Sequence, residues 1–527
     1  MYDVLLKNAN IYDGTGKPAY ASDILIKNGV IVKIGNVEND EWVLHKIDVS
    51  GLAVAPGFID PHTHYDNTVQ HDKQMTAPLC QGVTTVITGA CALGTVPSKP
   101  EDIQKINQLN SGMVDYHADF DYKATNIDEF LRYADKAAIN VAANVGHIPV
   151  RVLAGGWTFP KFENIAGKMK AALRENLDMG AVGFSIGLDN YPTVPDAISN
   201  EELMELAAVT KECGAVFVAH VRPINNGHEE VCSIAKKLGV RTHVLHTKTI
   251  YPQTCGKPEV IAGMFDRAIG EGADVTSEFY PYHGGETYGV YYLPAWLWSG
   301  DCGEMLEKLR TPSLKDQLIR ELAERYETRC YYKPARFGYV KNHFEYEGLS
   351  FDQVAKLRGQ SIGEMFLDIL VESDLEVSIL AADVFDAAVS KQLQDDYMWL
   401  FQRDYYTIGS DSYGTFSMVH PRAFGAFAKV LRLSREYGLK LETTVHKLTK
   451  FNADRYGLNN RGHIAEGKAA DIVAFDYAKV RDNSTFELPR VRPDGVEWVI
   501  VNGQIALAKG CPTGVWAGRS LRKYEKN

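Results

Sequence analysis

Through the middle of the chain, short uninterrupted apolar runs alternate with longer stretches of helical periodicity. The runs are 53–59, 83–88, 140–145, 181–186, 215–219, 242–245, 273–278 and 406–410. Parallel strands read this way because helices cover both faces of the sheet and leave neither in water. The stretches between them carry helix signals. Segment 200–212 opens on Asn200, with Glu201 and Glu202 in its first turn and apolar residues at helical spacing. Eight strand–helix repeats predict an α/β chain closed into a (β/α)8 TIM-like barrel. A doubly wound open sheet is the alternative that pattern leaves standing.

The two ends have another texture. Runs 23–26 and 30–34 flank Lys27-Asn28-Gly29, a tight hairpin signal, and Asp13-Gly14 marks an earlier turn. The C-terminal stretch repeats the theme at 471–475, 496–501 and 504–507, with Asn502-Gly503 between the last two. This predicts a small β-sandwich built from both termini, residues 1–53 plus 465–527, around a catalytic barrel at 54–464. About 120 residues separate the seventh run from the eighth, far more than an ordinary connection. The expected insertion, about 283–405, starts aromatic and turns helix-like. Leaving from a strand's C-terminal end, it is read as a lid or pocket wall, with a decorative subdomain as the alternative.

Composition narrows the partners. Hydrophobic content of 45 % and charged content of 23 % are those of a soluble globular chain. A net charge of −11 over 527 residues argues against nucleic acid or an anionic membrane, because phosphate binding needs a basic surface. Any anionic small-molecule substrate must therefore meet local cations. No uncharged apolar run reaches membrane-spanning length, and the first residues lack the pattern of a secretory signal. Eight cysteines without regular spacing do not make a disulfide framework, so the expected location is the cytoplasm.

Reactive residues gather at the run ends, where such barrels carry their chemistry. The first run leads into Pro56-Gly-Phe-Ile-Asp-Pro-His-Thr-His-Tyr-Asp66, and in extended chain His62 and His64 leave the same face. The second ends in Cys91, the fifth in His220, the sixth in His246 and the eighth in Asp411. Four imidazoles, a thiol and a carboxylate make a zinc ligand inventory. Each alone has a plainer explanation: a core histidine, a buried thiol, a helix cap. Their shared position is what points to a metal centre. By alternation His243 faces away from His246 and is read as structural. His147 and Asp66 are candidates to support ligands from behind.

These residues resemble the amidohydrolase superfamily of metal-dependent hydrolases, and within it the N-acyl-D-amino-acid deacylases (D-aminoacylases). The superfamily markers are Asp23-Ile-Leu-Ile-Lys-Asn-Gly-Val-Ile-Val-Lys-Ile-Gly35, the 56–64 motif, and Gly462-His-Ile-Ala-Glu-Gly-Lys-Ala-Ala-Asp-Ile-Val473. The narrower resemblance lies in Gly82-Val-Thr-Thr-Val-Ile-Thr-Gly-Ala-Cys91, His220-Val-Arg222, His246-Thr-Lys248, Tyr280-Pro-Tyr282 and His420-Pro-Arg422. Many superfamily members bridge two metals with a strand-four lysine, but the fourth run, Gly180-Ala-Val-Gly-Phe-Ser-Ile-Gly-Leu188, offers none. The resemblance implies one tightly bound Zn2+ on Cys91, His220 and His246, and a second, weaker site on His62, His64 and Asp411. It also implies that Lys248, Tyr282 and Arg422, with Tyr280 beside them, hold the substrate carboxylate. Two loops depart from the family pattern, 188–195 and the Pro-Ile after Arg222, and the insertion is longer.

The implied reaction is hydrolysis of the amide bond of an N-acyl-D-amino acid, giving a carboxylate and a free D-amino acid. Asp411 is expected to take a proton from the attacking water and pass it to the leaving nitrogen. The alternatives are another metal-dependent C–N hydrolysis (a cyclic amide, a ureido compound or a dipeptide) and, more remotely, a non-catalytic scaffold that keeps the barrel.

Overall fold

A computed structural model describes residues 1–523 apart from 39, 191–197, 223–226, 251–253, 330–332, 382–386 and 415. The loop departures at 191–195 and after Arg222 lie outside the described residues. Eight parallel strands form the central sheet: Phe58–Asp60, Val83–Thr88, Asn140–Gly146, Gly183–Gly187, Val216–His220, Thr242–Val244, Val275–Phe279 and Tyr406–Ile408. They are neighbours in chain order, as a barrel requires and a doubly wound sheet does not. The seam between the eighth and first strands closes just past their ends. There the Asp411 amide donates to His62 O at 2.9 Å and the His64 amide to Ser412 O at 2.8 Å.

The first apolar run divides. Ala53–Pro56 pairs antiparallel with Ile472–Phe475 in the terminal sheet, and only Phe58–Asp60 enters the barrel. The hinge between them is Gly57, where a Cβ would stand 2.1 Å from Thr84 Oγ1. Both halves are fully buried, so hydrophobicity alone could not separate them.

Both chain ends contribute to one nine-stranded sheet, from Cys511–Pro512 at one edge to Val30–Ile34 at the other. Within it Tyr2–Ile11 carries Val43–Asp48 along its first half and Ala53–Pro56 at its last two residues. The two hairpin signals form as read: Asn28 and Gly29 have φ of 51° and 79°, and Asn502 and Gly503 have 45° and 79°. This sheet is tied to the bottom of the barrel by a buried polar network. Asn140 Nδ2 donates to Asp471 Oδ2 at 2.9 Å, Asn502 Nδ2 donates to Asn140 Oδ1 at 2.7 Å, and Arg461 pairs with Asp471.

The insertion is more than helices. Gly285–Tyr288, Val377–Ala381 and Ala335–Val340 form an antiparallel sheet of their own, which the sequence did not suggest. Its apolar residues, among them Tyr288, Phe337 and Ile379, belong to the same buried cluster as Ile59, Ile87 and Cys91 of the barrel mouth. Among the described residues no helix is long and apolar enough to cross a membrane.

Candidate active site

Three of the residues singled out at the strand ends have left-handed backbone: Cys91 at φ 51°, His246 at 36° and Asp411 at 52°. Such conformations cost non-glycine residues of order 1–3 kcal/mol each and persist where the surroundings enforce them. Here each one turns a side chain inward from the end of a buried strand.

The six candidates converge. His62 Nε2 is 3.5 Å from Cys91 Sγ and 3.1 Å from Asp411 Oδ1. His246 Nε2 is 3.7 Å from Cys91 Sγ and 2.9 Å from His220 Nδ1. His64 Nε2 stands 3.1 Å from the same Asp411 oxygen. Ligand atoms of Cys91, His220 and His246 all lie within 4.8 Å of one another, as do those of His62, His64 and Cys91, and of His62, His246 and Asp411. His62 and His64 are wholly buried, whereas His220 and His246 are partly open, so access is from their side.

Charge states suit a cation. Burial lowers the pKa of His64 and His220 to about 4 and that of His246 well below its usual value, leaving neutral imidazoles with lone pairs to give. Burial pushes the Cys91 thiol up, against the pull of His62. A thiol so placed becomes a thiolate readily only beside a positive charge. His62 differs: burial opposes its protonation, but Asp411, Cys91 and Glu278 raise it well above the ordinary value. An excess of anions faces it, which is the deficit a metal ion fills. A tetrahedral zinc with thiolate and imidazole ligands sets sulfur and nitrogen about 3.5 Å apart, close to the 3.7 Å between Cys91 and His246.

Glu278, at the end of the seventh run, was overlooked. Its buried carboxylate lies 2.7 Å from His62 Nδ1, accepts the His246 amide at 2.6 Å and accepts the Gly409 amide at 3.1 Å. Its place at a strand end, the same as that of the six, was the available signal. It performs the support expected of His147 and Asp66, and both of those lie elsewhere. His147 pairs with Glu202 at 2.7 Å beside Arg151. Asp66 accepts the Gly89 amide, and His64 Nδ1 is buried without a hydrogen-bond partner among the described residues. His243 bonds Thr276 Oγ1 at 2.8 Å, a structural contact as read.

Two basic side chains line one flank. Arg422 Nη1 donates to Asp411 Oδ2 at 2.7 Å, while its Nε and Nη2 are buried with no hydrogen-bond partner among the described residues. Burial disfavours the Asp411 charge, but Arg422 and His62 outweigh it and hold the carboxyl well below the usual range. Arg422 and Lys248 both lie against the Tyr280 ring, at 4.4 and 3.4 Å from its centroid. Burial and the neighbouring Arg422 depress the Lys248 ammonium well below its usual pKa. The Tyr282 hydroxyl points away, donating to Asp482 at 3.1 Å, in space that Gly425 leaves open.

Comparisons with known proteins give the family. The amidohydrolase family model matches residues 46–183 and 397–507, leaving out the fourth to seventh barrel strands, with His220 and His246, and most of the insertion. A D-aminoacylase of Alcaligenes xylosoxydans xylosoxydans is 30 % identical over 99 % of this chain and 98 % of its own length. An N-acyl-D-glutamate deacylase of the same organism is 28 % identical over 99 % and 96 %. The crystal structure of N-acyl-D-glutamate deacylase from Bordetella bronchiseptica, complexed with zinc and a phosphonate mimic of the tetrahedral intermediate, superposes with a TM-score of 0.81 at 28 % identity, covering 99 % of each chain. With similarity of this kind along its whole length, the chain belongs to the D-aminoacylase family of amidohydrolases.

Proposed function

We propose that this chain is a zinc-dependent hydrolase that cleaves the amide bond of N-acyl-D-amino acids, releasing a carboxylate and a free D-amino acid. The observation that carries the reading is the split grip of Arg422: one nitrogen on Asp411, two more buried without a hydrogen-bond partner among the described residues. Buried guanidinium donors are costly unless an anion meets them, and a carboxylate fits their planar fork. An α-carboxylate on the substrate supplies it, with Lys248 beside the same Tyr280 ring.

Cys91, His220 and His246 would hold the tighter zinc, and His62, His64 and Asp411 a weaker second one. When bound, the ion supplies Lewis acidity, lowering the pKa of water and polarising the amide carbonyl. Asp411 carries the proton from the attacking water to the leaving nitrogen. A substrate carboxylate that draws on Arg422 weakens that residue's hold on Asp411, which makes the aspartate a better base as the substrate docks. Glu278 keeps the His62 ring oriented throughout. In this reading residues 1–53 and 465–527 form a supporting sandwich, 283–405 wall the substrate pocket, and the protein works in the cytoplasm on a small anionic substrate. The names of the relatives, the acidic chain and the absence of a membrane-crossing helix among the described residues support it.

The test is hydrolysis of paired N-acetyl-D- and N-acetyl-L-amino acids, with and without chelator. Turnover of the D series alone, lost on chelation and restored by Zn2+, is expected. Inert acyl amino acids alongside rapid opening of a cyclic amide would overturn the proposal.

A further inference from the structure

A second group of metal-ligating side chains lies outside this site. His71 ends the short helix Thr68–His71 that follows the His62/His64 motif, and Asp115 caps the helix Ser111–Val114 in the connection after the second barrel strand. Asp115 is fully buried with φ of 55°, a backbone that turns its carboxylate toward the first connection. His71 Nε2 stands 3.3 Å from Asp115 Oδ2, and His117 Nε2 stands 3.4 Å from Oδ1. The two imidazoles meet edge to face with centroids 4.4 Å apart, and one ligand atom from each of the three residues falls within a common 4.8 Å.

Those separations are informative. Charge-assisted hydrogen bonds between imidazolium and carboxylate close to about 2.7–2.9 Å. Donors around a four-coordinate zinc, at about 2.0–2.2 Å from the ion, stand about 3.3–3.6 Å from one another. The cluster has the second spacing. Its support is also that of a built site. Thr68 Oγ1 donates to Asp115 Oδ2 at 3.0 Å, as a group behind a ligand does. The Asp115 carbonyl, 3.3 Å from His71 Nε2, is a further oxygen at hand. The loop bearing His117 is anchored by Tyr116, Tyr122 and Ile103, with the His117 amide donating to the Tyr122 hydroxyl at 3.0 Å. Burial would raise the Asp115 carboxyl, yet His117 and His71 hold it well below the usual range, so the anion persists.

We infer that His71, Asp115 and His117 form a structural site for a borderline divalent cation such as Zn2+, which clamps the connection after the first barrel strand to the one after the second. Two imidazoles and one carboxylate select Zn2+ over Ca2+ or Mg2+, and half-exposed His117 leaves a position for water. The clamp braces the loops behind His64 and Cys91 without touching substrate.

Metal-stripped wild type and the variants His117→Ala and His117→Gln would be dialysed against buffered micromolar Zn2+ alone, and bound zinc counted per chain. Co2+ spectra of each would report the Cys91 site independently through its thiolate charge-transfer band. Wild type should hold one equivalent more than either variant, and all three should keep the thiolate band and their turnover. The same zinc count in wild type and a variant that retains the band would overturn the inference. A variant that loses the band as well would also count against it, since the clamp would not then be separate from the Cys91 centre. The result does not depend on amide hydrolysis, so it stands or falls apart from the proposed function.

Discussion

Asp411 is held by three partners at once, Arg422 and the imidazoles of His62 and His64. Asp411→Ala should lower kcat by about 10²–10⁴-fold while zinc on Cys91, His220 and His246 is retained, as turnover and metal analysis would show. Arg422→Ala should raise KM for acyl amino acids by roughly 10- to 100-fold, the loss of a charged hydrogen bond, and change KM far less for the matching acyl amino amides. Equal losses on both would remove carboxylate recognition from Arg422. Glu278→Gln should weaken zinc affinity at the second site, where His62 is a ligand, by about 10–100-fold through misorientation of that ring, measured by competition with a chelator. The six candidates were legible because each ends an apolar run. Glu278 was not, because a glutamate at the end of a strand reads as ordinary surface until the fold buries it. Tyr282 was singled out by motif as a carboxylate ligand, but its hydroxyl turns to Asp482, 200 residues away in the chain, a partner no local pattern includes.

Among the elements, all eight barrel strands were visible as runs, since strands covered on both sides have no polar face to confuse the reading. Two features escaped. Gly57 separates strands of two different sheets inside one run, and its necessity comes from Thr84, which local pattern does not include. The inserted sheet escaped because polar residues such as Glu286, Arg336 and Ser378 interrupt its strands, which lie among helices. Gly57→Ala should destabilise the protein by about 1–3 kcal/mol in denaturant unfolding, the range for overpacking. Adding Thr84→Ala should recover only part, because the Thr84 Cβ itself would lie 2.6 Å from the new methyl. Full recovery would place the strain elsewhere.

For the whole molecule, the terminal sheet and the barrel stand or fall together through Asn140, Arg461, Asp471 and Asn502. Asp471→Ala leaves a buried guanidinium unpaired and should cost about 3–5 kcal/mol of stability, read by denaturant titration, with kcat of the folded fraction unchanged. A fall in kcat at full folding would mean the network reaches the mouth. The seam of the barrel has a wider consequence. The hydrogen bonds that join its last strand to its first are made by the backbones of His62, His64, Asp411 and Ser412, the same stretch that presents the reactive groups. Breathing of the cylinder at that join pulls the ligand cage apart, so partial opening extinguishes turnover while most helices are still intact. Whatever occupies the cage acts as the rivet that keeps the cylinder shut.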